Sequence, residues 1–174
     1  MLEIRQLQLN DALAFERFQA SLLTEAKNNS FVEPFVTTIT SFTQFLERSK
    51  QCELSVGNSA WSVFSSYYAF IDGEIVGKLQ CFWQSDKADI KRIGNIGYIT
   101  LASHRRQGIA EKMLSFALER FKEHGHQKIL VTAPENNLPS RSLLEKIGGQ
   151  LEGIVRETYR GQDIQLARYW IDLE

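Results

Sequence analysis

The chain is poor in the residues that staple, ligate or interrupt folds. Among 174 residues there are two cysteines, Cys52 and Cys81, and three prolines. The thiols match no metal or redox spacing, so they read as reduced side chains rather than a disulfide framework. Histidine is equally scarce: His104, His124 and His126 have no ligand-type partners at suitable spacing, so no metal is expected. No apolar run approaches the roughly 20 residues that a membrane helix needs. The opening MLEIRQLQLND lacks a charged region followed by an apolar core, so no membrane partner and a cytoplasmic address are expected. Net charge is −1 and pI is near 6.3, which leaves no global field to attract nucleic acid. Neither GxxxxGK[ST] nor GxGxxG occurs. Repeats, low-complexity stretches and Pro/Ser-rich linkers are also missing, so residues 1–174 read as one domain.

What is present is an ordinary globular balance, 43% hydrophobic and 24% charged. A chain of this length buries roughly 70% of its unfolded surface and needs no staple. Leu2 to Leu7 alternates apolar and polar residues, as a half-buried strand should. Asn10 or Asp11 can cap a helix whose apolar face is Leu13, Phe15, Phe18, Leu22 and Leu23. After a break at 28–34, a shorter helix is expected over 41–50, with Phe42, Phe45 and Leu46 inward. Trp61 to Ile71 and Glu74 to Trp83 are aromatic and β-branched, and Asp72-Gly73 between them is a strong hairpin signal. A polar loop over 84–89 and a strand over 95–101 follow. Ile109, Met113, Phe116, Ala117 and Phe121 fall at helical spacing, and Gly125 suits the left-handed stop. A strand at 128–132, a helix over 140–147 and a strand pair at 151–157 and 164–171 around Arg160-Gly161 complete an α/β sandwich.

The informative stretch is Tyr98-Ile-Thr-Leu-Ala-Ser-His-Arg-Arg-Gln-Gly-Ile-Ala110. A strand feeds a tight turn, and the turn opens the strongest helix. The first helical turn offers unpaired N–H groups at the positive end of the macrodipole. Gly108 allows backbone to approach a ligand, Ala110 keeps that approach open, and Arg105 and Arg106 add positive charge. By itself this pattern is an anion-binding turn, or simply a solvated one.

The spacing Arg105-x-x-Gly108-x-Ala110 resembles the pyrophosphate signature of the GNAT N-acetyltransferase superfamily. Glu135 to Gly149, with an Asn before a helix that ends Glu-Lys-x-Gly, is similar to that superfamily's second hallmark. Asn137-x-x-Ser140 and Gly153-x-x-Arg156 resemble the ribosomal-protein N-terminal acetyltransferase subgroup. Ile96-Gly-Tyr98, Gly148-Gly-x-Leu-Glu152 and Arg168-Tyr-Trp-Ile171 are similar to a group of predicted bacterial acetyltransferases. The likeness covers about 94–157.

This resemblance implies a GNAT-like mixed β-sheet of about seven strands flanked by about four helices. It also implies acetyl-CoA as co-substrate, no metal, and direct attack of a primary amine, on a small molecule or a protein N-terminus, in a ternary complex. Pantetheine contacts would fall on Tyr98, Ile99 and Thr100, with backbone donors near Thr100 polarising the thioester carbonyl. The pyrophosphate would lie on Arg105, Arg106, Gln107, Gly108, Ile109 and Ala110. Asn137 and Ser140 would contact the cofactor and act as the catalytic pair. Many relatives carry a Tyr seven residues after the Asn; here Leu144 stands there, leaving Ser140, or more distantly Tyr159, as proton donor. Ser140 also fits a helix N-cap, and Asn137 an Asx turn. Glu33, Asp86 and Asp89 border loops where a base could stand, and none is assigned. A catalytically silent acyl-CoA-binding regulatory module is the alternative, kept open by Leu144. The final strands around Tyr169-Trp170 could supply a homodimer edge.

Overall fold

Alternation and helical periodicity resolve into seven strands and five α-helices in a computed structural model that describes residues 1–159 and 161–174, with backbone alone at Tyr159. The order is β1 (Leu2–Arg5), α1 (Ala12–Ala26), α2 (Phe42–Cys52), β2 (Phe64–Ile71), β3 (Glu74–Phe82), α3 (Ala88–Ile93), β4 (Ile96–Thr100), α4 (Ile109–Glu123), β5 (Lys128–Pro134), α5 (Leu138–Lys146), β6 (Gln150–Tyr159) and β7 (Gln162–Asp172). The strands form two antiparallel sheets, in orders β1-β2-β3-β4 and β5-β7-β6. The additional helix is α3, in and after the stretch read as a polar loop. At six residues it carries too little periodicity to announce itself.

The chain divides into two compact units, each assembled from separated segments. The first holds residues 1–55, 65–80 and 98–114; the second holds 56–64, 81–97 and 115–174.

In the first unit, β1 pairs antiparallel with β2 from Leu2↔Ile71 to Arg5↔Tyr68. The expected Asp72-Gly73 turn forms, with φ of 51° and 80°, the left-handed pair a two-residue hairpin requires. Phe15, Phe18 and Leu22 are buried on α1 and pack with Val32, Tyr68, Phe70, Ile75 and Ile99. Each such side chain contributes on the order of 2 kcal/mol on leaving water. Leu13 and Leu23 are 57% and 55% exposed. A 100° step puts them off the 15/18/22 stripe, so the expected apolar face was drawn too wide. Ser41 caps α2 by accepting from the Gln44 N–H at 3.3 Å. Phe42 and Phe45 then meet the Phe15 ring at 5.5 and 4.9 Å.

In the second unit, β7 lies between β5 and β6. Tyr169 and Trp170 are therefore in the middle strand, and β5 and β6 are the outer strands of this sheet. The helix α4 ends as expected: Gly125 has φ 84°, with Gly125 N–H donating to Lys122 at 3.0 Å and His126 N–H to Phe121 at 3.1 Å. These are the two bonds of a Schellman stop. Part of the Arg160-Gly161 turn lies outside the described residues. Asn95 is buried and ties three segments together. Its side chain donates to the Phe82 carbonyl and Ser85 Oγ, and accepts from Leu130 N–H, at 3.0, 2.9 and 3.0 Å.

Candidate functional site

In the first unit, β4 is the outermost strand of its sheet. Leu101 N–H donates to the Val76 carbonyl at 2.8 Å, and continuing that antiparallel register places Lys78 opposite Ile99. Paired groups alternate between the partner strand and the free edge. Ile99 thus spends its backbone groups on β3, while Tyr98 and Thr100 turn theirs outward. The Thr100 carbonyl confirms this by accepting from Arg105 Nε at 3.1 Å. Thr100 Oγ1 is fully covered and has no hydrogen-bond partner among the described residues.

After β4 the chain makes a 3-10 turn at Ala102–His104 and reaches Arg106, whose φ of 61° is left-handed. Gly108 follows at φ 79°, and a Cβ placed on it would meet nothing within 4 Å. Ile109, 4% exposed, plugs the start of α4 into the core, and the Gly108 carbonyl accepts the Lys112 N–H at 3.1 Å. No N–H from Arg106 to Ala110 donates to a carbonyl outside the helix among the described residues. These free donors, two left-handed residues and the helix dipole form a concave cationic turn.

The two arginines separate. Arg105 is turned back: its NH2 lies 2.6 Å from Glu25 Oε1 on α1, so its charge is spent inside the protein. Arg106 makes no hydrogen bond or ion pair among the described residues and is exposed. Of the pair expected to supply cationic side chains, only Arg106 projects freely. Gln107 is exposed and makes one long 3.5 Å contact, Nε2 to the Ser103 carbonyl.

In the second unit, Asn137 begins α5. Its N–H donates to the Pro134 carbonyl at 2.9 Å, and its Oδ1 accepts from the Ser140 N–H at 3.4 Å. Asn137 is therefore the cap and Ser140 is not; Ser140 sits in the first turn. Leu144 is fully buried and belongs to the core, where a phenol would need a partner. A buried phenol stands instead on β7. The Tyr169 hydroxyl accepts from Arg141 Nε at 3.0 Å and donates to Glu145 Oε1 at 2.9 Å, so it braces α5. The Tyr159 side chain lies outside the described residues. Asp89 is 2.9 Å from Arg92 and serves α3 as an ion pair.

The residues read from sequence thus fall into two sets, Tyr98–Thr100 with 105–110 in one unit and Asn137 with Ser140 in the other. Lys78 was overlooked. It is 5% exposed within the apolar strand EIVGKLQCF, and a lone charge inside such a run was the available signal. Among the described residues no helix is long and apolar enough to cross a membrane, and no group of three or more His, Cys, Asp or Glu side chains forms a metal cluster.

Comparison with known proteins is consistent with this geometry. The sequence model of the acetyltransferase (GNAT) family matches residues 31–149, more than half of the chain. Streptothricin acetyltransferase of Escherichia coli is 32% identical over 109 residues, covering 60% of this chain and 59% of that protein. The chain thus spans under two thirds of that relative's length. An N-acetyltransferase structure from Staphylococcus aureus Mu50 superposes with TM-score 0.71 at 17% identity, covering 100% of this chain and 99% of the other. A RimL ribosomal L7/L12 α-N-protein acetyltransferase in complex with coenzyme A gives 0.71 at 16%, covering 98% and 93%.

Proposed function

Because the chain belongs to the acetyltransferase (GNAT) family, we propose that it transfers an acetyl group from acetyl-CoA to a primary amine by direct attack in a ternary complex. The observation that carries this reading is the turn from Arg106 to Ala110, with its unclaimed N–H groups, open Gly108 and unpartnered cation. Those features fit a pyrophosphate. The orphaned Thr100 Oγ1 fits a polar chain laid along the strand edge. Acetyl-CoA supplies the acyl group as a thioester whose thiol, with pKa near 8.5, departs readily.

The protein's own part is binding and orientation. Arg106, Gln107, Gly108, Ile109 and Ala110 hold the phosphates through backbone N–H groups, and Tyr98 and Thr100 align the arm. Asn137 fixes the start of α5 by capping it, and to Ser140 we assign the return of a proton to the departing thiolate. An α-amine with pKa near 8 is partly neutral at pH 7 and needs no strong base, whereas a lysine amine near 10.4 needs about 3 kcal/mol of help. We read residues 1–174 as one acyltransferase domain, because each compact unit draws on separated segments and neither is a continuous stretch. We place it in the cytoplasm on the strength of two free thiols, Cys52 and Cys81; self-association would use the β6 edge.

Leu144 in the core favours the second reading, a silent acyl-CoA-binding module. The deciding experiment titrates acetyl-CoA calorimetrically into wild type and Arg106→Glu, followed by turnover on an amine panel. Position 108 is a poorer choice for the substitution, since any side chain there strains a left-handed residue. Binding by wild type, loss in the variant and turnover establish the enzyme. Binding without turnover of any amine leaves the silent module, and no binding removes both.

A further inference from the structure

Lys78 sits on β3 directly opposite Ile99, the middle of the strand Tyr98–Thr100, and is 5% exposed. It makes no hydrogen bond and no ion pair among the described residues. Opposed residues of an antiparallel pair share a sheet face, and Ile99 packs with Phe15, Phe18 and Leu22 of α1. Gly77, one residue earlier, points the other way, where its Cβ would meet the Met113 side chain at 3.0 Å. Alternation therefore puts the Lys78 side chain on the α1 face of the sheet.

Two other polar groups of the same unit also lack partners. Tyr68 Oη on β2 is buried and unbonded, with its ring against Phe15 and Phe18 at 6.0 and 6.2 Å. Gln19, next to Phe18, accepts from Thr37 N–H through Oε1 at 2.9 Å, which leaves its covered Nε2 without an acceptor. An ammonium, a phenol O–H and an amide N–H₂ are all donors, and none has an acceptor. Orphaned buried donors are costly unless something else supplies the lone pairs. Lys78 Nζ is not among the fully covered atoms and so keeps a little contact with solvent, yet an ammonium in so apolar a surround favours an anion over water. Burial pushes the Lys78 amine down to about 8, with no charged side chain contributing, yet it is still mostly protonated at neutral pH.

We propose that Lys78, with Tyr68 and Gln19 as further unpartnered donors of the same unit, receives a carboxylate carried by the acceptor, so that the amine acetylated belongs to an amino acid or a similarly zwitterionic molecule. This inference rests on the acetyltransferase reading and narrows its acceptor. Placement opposite Ile99 anchors the carboxylate on the sheet beside the strand proposed to hold the acyl donor. The amine of an amino acid, a few bonds from its carboxylate, then has a fixed approach.

The test uses matched acceptors, alanine with alaninamide, phenylalanine with its amide, and β-alanine with its amide, assayed for acetyl-CoA-dependent thiol release by wild type and Lys78→Met. Independently of turnover, reductive ¹³C-methylation of lysines lets the Lys78 signal be titrated with each compound. Wild type is expected to prefer at least one acid over its amide by tenfold or more in kcat/KM. Lys78→Met is expected to lose that preference while binding acetyl-CoA within threefold of wild type. In the titration the acid, and not the amide, raises the Lys78 midpoint. Equal turnover of acids and amides, a preference that survives Lys78→Met, or a Lys78 signal blind to every acid would overturn the carboxylate anchor. If acetyl-CoA does not bind but the acids still move the Lys78 signal, the anchor stands and the acetyltransferase reading falls.

Discussion

The guanidinium of Arg105 lies 2.6 Å from the carboxylate of Glu25, and the same side chain donates to the Thr100 carbonyl at 3.1 Å. Glu25 also accepts from Asn29 Nδ2 at 3.2 Å. The arginine that stands first in the phosphate-type motif is therefore a tie between α1, the segment after it and the end of β4. Arg106 is the side chain left to face an anion. Arg105→Gln is expected to change acetyl-CoA affinity by less than about threefold, whereas Arg106→Glu weakens it tenfold or more, since a fixed charge beside phosphate is worth about 1.5–3 kcal/mol. Calorimetric titration of both variants checks this, and a larger loss for Arg105→Gln would assign the phosphate contact to Arg105 after all.

Lys78 makes stability depend on pH. Its folded pKa, about 8, lies below the ordinary 10.5, so the unfolded chain holds the proton more tightly. The penalty is fully present below pH 8, and stability rises from there until it is gone near 10.5. Over that window the shift corresponds to on the order of 3 kcal/mol. Lys78→Met is thus expected to raise the urea midpoint at pH 7, with the gap to wild type closing between pH 8 and 10.5. A gap independent of pH in that window would show that the buried amine is not the cause.

Asn137 and Ser140 separate a cap from a chemical role. Asn137→Ala removes the oxygen that accepts from Ser140 N–H and is expected to cost about 1 kcal/mol. Ser140→Ala leaves that bond intact and is expected to lower kcat tenfold or more. Unaltered kcat in Ser140→Ala would remove it as proton donor.

Asn95→Ala deletes three side-chain hydrogen bonds in a buried position and strands two donors' or acceptors' partners, Phe82 O and Leu130 N. A loss of about 3 kcal/mol or more is expected from urea unfolding, in line with breaking a buried network. A loss below 1 kcal/mol would mean that the loop relaxes to re-pair them.

Much of this architecture is written locally. The Asp72-Gly73 hairpin, the Ile109–Phe121 stripe, the Gly125 stop and the Asn137-Pro139 helix start are each specified by a few neighbouring residues, because turn conformers and helical periodicity are properties of short segments. The order strand, basic glycine turn, helix was legible for the same reason, and with it the family. Other features depended on residues far apart in sequence. Arg105 could have reached a ligand or Glu25, eighty positions earlier, and only packing of α1 on the sheet decides between them. Lys78 reads as an ordinary strand lysine until β4 and α1 bury it. The last strand, β7, proved to be the middle one with β5 and β6 outside it, since strand order follows from long-range pairing that alternation alone does not encode. Backbone conformation is settled by local chemistry, whereas charge pairing, desolvation and edge exposure arise only when distant segments remove water from one another.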